Sequence, residues 1–101
     1  FWEPDIGYLA KATEELKNQN KAMLEILNTD TKLKKAQKDR LDLNLKENDR
    51  IIAKLNKMRD TQEASFKDIQ DTMNEASTAV NNSLKAQKKL LDRNNEKLYL
   101  P

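Results

Sequence analysis

Positions 8–100 contain neither glycine nor proline, so the two residues that most readily interrupt a helix are absent from nearly the whole chain. One unbroken helix across that span would reach about 140 Å, far beyond the reach of a single globular core. The chain must therefore be an extended helical rod, or fold back on itself as a hairpin or bundle. With hydrophobic residues at 37% and charged residues at 36%, it can supply a narrow apolar seam but not a thick core. Disorder is disfavoured by a net charge of only +2 and by the regular spacing of the apolar positions. The expected fold class is all-α.

The residue types also remove most chemistry. There is no histidine and no cysteine, which leaves no ordinary general base near neutral pH, no thiolate, no disulfide and no common zinc ligand. The lone Gly7 cannot build a phosphate-cradling loop, and no serine has a histidine to activate it. The pairs Asp39 with Asp42 and Asp68 with Asp71 recur at helical spacing, but two helical carboxylates supply fewer oxygens than calcium sites use. The reading is a non-enzyme with no cofactor and no metal. No apolar run approaches the length of a membrane span.

Along the chain, residues 1–8 hold Phe1, Trp2 and Tyr8 around Pro4 and Gly7, and read as an anchor or the stub of a preceding domain. Residues 9–28 place Leu9, Ala12, Leu16, Met23, Ile26 and Leu27 on one face of an amphipathic helix. A break is expected at 29–31, within Asn28-Thr29-Asp30-Thr31, whose side chains compete for nearby backbone groups. Residues 32–98 read as one long helix, and 99–101 as an exit to a following domain. Because the chain starts at Phe1 without a leader pattern, it reads as a segment of a longer protein.

The long helix carries a heptad. Leu45, Ile52, Arg59, Phe66, Met73, Val80 and Gln87 fall at a, with Asn48, Leu55, Gln62, Ile69, Ala76, Ser83 and Leu90 at d. Leu84, Leu91 and Leu98 lie one place late, as after a four-residue stutter. The expected oligomer seam is Leu45, Ile52, Leu55, Phe66, Ile69, Met73, Val80 and Leu90, with Asn48, Arg59 and Gln62 as polar layers that set register. This pattern predicts a parallel coiled coil, with the chain's partner being itself, as a homotrimer or homodimer, or another helical protein. Its function would be structural: a shaft that holds flanking domains at fixed spacing and copy number.

The alternative is a three-helix bundle acting as a monomeric protein-binding module, with turns near Thr29 and near Asp60, where Asp60-Thr61-Gln62-Glu63 has the form of a capping box. In that arrangement the basic stretch Lys32, Lys34, Lys35, Lys38 and Arg40 would lie beside the acidic run Asp60, Glu63, Asp68, Asp71 and Glu75. The same basic stretch, with Lys85, Lys88, Lys89 and Arg93, is a candidate anion-facing patch. It lacks interleaved aromatics to stack bases, so nucleic acid is not the expected partner. Gln62 followed by Phe66, Ile69, Met73, Ala76 and Val80 also resembles a SNARE motif, in which a central glutamine layer sits between hydrophobic layers. That resemblance implies a helical tether in a four-helix bundle that draws membranes together. The chain departs from the pattern at Arg59, Ser83 and Gln87.

Overall fold

The computed structural model describes the backbone of residues 6–99 and the side chains of residues 7–90, and these form three helices: α1 (Ile6–Thr29), α2 (Lys35–Thr61) and α3 (Phe66–Tyr99). Each helix packs against both others. The chain is all-α, in the three-helix arrangement rather than as one rod, and measures 64 × 21 × 17 Å. Most of the anchor at 1–8, residues 100–101 of the exit and the side chains of Leu91, Arg93, Leu98 and Tyr99 lie outside the described residues.

The first connection uses the side chains that favour turns. Thr29 Oγ1 donates back to the Glu25 carbonyl at 2.7 Å, and the Asp30 carboxylate accepts the Lys32 amide at 2.9 Å. Such bonds offer the backbone an alternative to continuing the helix. Leu33 then tucks into the core, and α2 starts after Lys34, whose amide is accepted by Gln37 Oε1 at 2.9 Å. That bond supplies the reciprocal half of a capping box without the usual hydroxyl half.

The second connection, at 62–65, divides the helix expected over 32–98. Gln62 takes the left-handed conformation (φ 53, ψ 25), and its amide closes on the Met58 carbonyl at 2.9 Å. Ser65 then caps α3 by accepting the Asp68 amide at 3.1 Å. The N-terminal signal is therefore Ser65-Phe66-Lys67-Asp68, and Asp60-Thr61-Gln62-Glu63 is instead the end of α2. A left-handed residue other than glycine costs about 1–2 kcal/mol. Burial of a single leucine, at about 1.5–3 kcal/mol, is enough to offset it. Gln62→Gly should therefore raise the unfolding free energy by about 0.5–1 kcal/mol, since relief of the left-handed strain exceeds the added chain entropy; urea unfolding with an unchanged slope checks this.

The core has two apolar clusters. One joins Leu9 and Leu16 of α1, Ile51, Leu55 and Met58 of α2, and Ala76 and Ala79 of α3. The other joins Met23, Leu33, Leu41, Ala86 and Leu90. The alanines of α3 let the larger side chains of α1 and α2 reach its backbone, so a chain with few aromatics still closes a core.

Candidate functional site

Between the two clusters the bundle is crossed by a polar layer. Asn48 of α2 is fully buried, and its Nδ2 donates to Asn20 Oδ1 of α1 at 2.9 Å and to Ser83 Oγ of α3 at 3.0 Å. Ser83 passes its own proton to the Ala79 carbonyl at 2.9 Å, and Asn20 donates outward to Asp49 at 2.9 Å. Gln87 ties α3 to α1 through Gln19 Oε1 at 2.6 Å. Asn48 Oδ1 is buried with no hydrogen-bond partner, which costs about 1–3 kcal/mol. One side chain thus links all three helices. Sliding α3 by a heptad would bring Ala76 or Leu90 opposite Asn48 and leave the amide proton that Ser83 accepts without a partner.

The polar residues expected to set register separate here. Asn48 lies in the layer, whereas Arg59 is half-buried near the end of α2, beside Asn56 and Asp60. Gln62 is exposed in the turn, so it forms neither a polar layer nor the central layer that a SNARE-like reading requires. Arg59→Leu should change stability by no more than about 0.5 kcal/mol, and sedimentation should show the same mass for both proteins.

The apolar seam is displaced on one side. Leu55 and Leu90, at d, are buried together with Asn48, Ala76 and Ser83. Leu45, Ile52, Met73 and Val80, at a, are only half-buried, as is Ile69 at d, and Phe66 is 61% exposed. The fully buried companions are instead Ile51 and Met58 in α2 and Thr72, Ala79 and Ala86 in α3, each one residue before an a position. In a two-sided seam a and d share one partner. In a three-helix bundle d points to the centre, and its flanks meet different neighbours. The recurrence of small residues at Thr72, Ala79 and Ala86 was the available signal for that close approach.

Charge is arranged end to end. Lys32 and Lys34 occupy the α1–α2 connection, and Lys35, Lys38 and Arg40 the first turns of α2. All are exposed, and no ion pair holds any of them among the described residues. The reversal of α2 and α3 brings Lys85, Lys88 and Lys89 to the same end, since Leu41 and Leu90 share a cluster. Asp60, Glu63, Asp68, Asp71 and Glu75 lie toward the other end, around the second turn. The internal neutralisation expected of a bundle does not occur, because Lys32–Arg40 and the acidic run flank opposite ends of α2.

Ion pairs join α2 to α3 in the acidic half. Arg50 meets Glu47 at 2.6 Å and Glu75 at 3.2 Å, and Lys54 meets Glu75 at 3.6 Å. The hydrogen bond from Arg50 holds the Glu47 carboxyl below its ordinary value. A depressed carboxyl contributes stability above its unfolded value and loses it as pH falls through the folded value; at these exposed positions the loss is small and confined to acid pH.

Among the described residues no group of three or more histidine, cysteine, aspartate or glutamate side chains could hold a metal ion, and no helix is long and apolar enough to cross a membrane. No family model, curated protein or solved structure matches this chain.

Proposed function

We propose that the chain is a structural helical spacer whose core is satisfied within a single chain. The observation that carries this reading is the odd number of helices in a body 64 × 21 × 17 Å in extent. A path of three antiparallel passes enters at one end of the bundle and leaves at the other, so segments joined to α1 and α3 are held apart by the length of the body. The polar layer supports the reading, because an axial slip that shortened the spacer would strand the buried amide of Asn48. A coiled-coil shaft of several chains would achieve spacing differently, by burying Phe66 between copies, which is 61% exposed in the single chain.

Sedimentation over a range of concentrations should give one species of 11.7 kDa. Spin labels at Asp39→Cys and Lys88→Cys, in a chain otherwise free of cysteine, should report one narrow distance set by neighbouring helix axes about 10 Å apart. In one continuous helix the same positions would lie about 75 Å apart. A dimer or trimer, or a broad distance distribution, would overturn a rigid single-chain spacer.

A further inference from the structure

We infer that the basic end of the α2–α3 face docks an acidic segment of a partner protein, with Leu43 as its apolar anchor. The face is defined by the acidic half of the same groove, where Arg50, itself paired with Glu47, and Lys54 of α2 reach Glu75 of α3, beside Thr78 and Asn82. The antiparallel register, with Asn48 against Ser83 and Leu41 clustered with Ala86 and Leu90, puts different residues at the corresponding positions one heptad toward the first turn. Glu47 becomes Arg40, Arg50 becomes Leu43, Thr78 becomes Lys85 and Asn82 becomes Lys89. Where one half of the groove balances its own charge, the other presents three cations around an exposed leucine.

Among the described residues Arg40, Lys85 and Lys89 make no ion pair, and Leu43, 68% exposed, is the most exposed of the large hydrophobic side chains described. Lys32, Lys34, Lys35 and Lys38 raise the positive potential at this end and outnumber the carboxylates of Asp30, Asp39 and Asp42 beside them, while Asp60, Glu63, Asp68, Asp71 and Glu75 flank the second turn. Charge complementarity selects an anionic occupant. Leu43 selects among anions: a leucine with Arg40 one turn before it, on the side of α2 that faces Lys85 and Lys89 of α3, is rewarded by carboxylates flanking an apolar side chain, and not by a phosphate backbone. Among the described residues no aromatic side chain stands on the face to stack bases. The occupant is therefore an acidic peptide segment carrying an apolar residue, laid along roughly two turns of the groove.

The probe is a synthetic helical peptide of glutamates with leucine at every seventh position, titrated into the whole chain while backbone amide shifts and anisotropy are followed. Shift changes should centre on Arg40, Leu43, Lys85 and Lys89, and affinity should fall as salt rises. Leu43→Ser should weaken binding about tenfold, as should replacing the peptide leucines by serine; the exposure of Leu43 leaves the fold intact, which circular dichroism verifies. The double variant Arg40→Glu with Lys89→Glu should weaken it by at least about tenfold. Absence of peptide binding, shift changes on another face, or indifference to Leu43→Ser would overturn the inference. Tighter binding of a DNA duplex or of phosphatidylserine vesicles than of the peptide would also overturn it.

Discussion

Leu55→Ala is expected to lower the unfolding free energy by about 3 kcal/mol, whereas Phe66→Ala lowers it by less than about 1 kcal/mol. Both residues occupy the expected heptad seam, and in a multi-chain rod the larger phenylalanine would be the costlier loss. In the bundle Leu55 is fully buried among Leu9, Leu16, Ile51 and Ala76, and Phe66 is 61% exposed at the start of α3. Truncating Leu55 removes transferred apolar area and leaves a cavity that the surrounding helices close only in part. Truncating Phe66 leaves no cavity. Urea unfolding of both variants against the parent checks the contrast, and a larger loss at Phe66 than at Leu55 would contradict the single-chain core.

Asn48→Leu is expected to raise the unfolding free energy by about 1–3 kcal/mol while making the fold less specific. The substitution preserves branching at the same carbon and removes the buried Oδ1 that has no partner. Ser83 keeps its bond to the Ala79 carbonyl and Asn20 Nδ2 keeps Asp49, while Asn20 Oδ1 loses its donor at a half-buried position that water can reach. The cost falls on register. With leucine at this level the two apolar clusters merge into one continuous stripe, and a heptad slip of α3 strands no polar group. The expected result is a higher melting temperature together with broadened or doubled amide signals for α3, or a concentration-dependent mass. A lower melting temperature would show that the layer contributes more than its orphaned oxygen costs.

The candidate surfaces were legible in unequal measure. Lys32, Lys34, Lys35, Lys38 and Arg40 stand out as a basic run in one dimension. Their union with Lys85, Lys88 and Lys89 depends on α3 running back along α2. Leu43 carries no signal alone, because a single leucine beside Leu41 and Leu45 looks like seam material until the direction of the core is known. Asn48 was identifiable as a polar layer from its d position. Its partners Asn20 and Ser83 lie 28 and 35 residues away, and no local pattern connects them.

Sequence alone determined that this protein is helical, because residues 8–100 lack helix breakers, and that Asn48, Leu55, Ala76, Ser83 and Leu90 face inward, because the spacing from Leu45 to Leu90 repeats every seven residues. It also expected a break at 29–31; the connection runs from 30 to 34, and it begins where Thr29 and Asp30 bond to backbone within four residues. Tertiary structure decided the second turn, at Gln62–Ser65, where no glycine or proline marks the break. The strain of one left-handed glutamine is small beside the burial gained when Ile51, Leu55 and Met58 of α2 meet Ala76 and Ala79 of α3. A heptad states that a seam exists; whether the facing helix comes from another chain or from the same one is settled by that comparison of free energies, which involves residues no sequence window contains together.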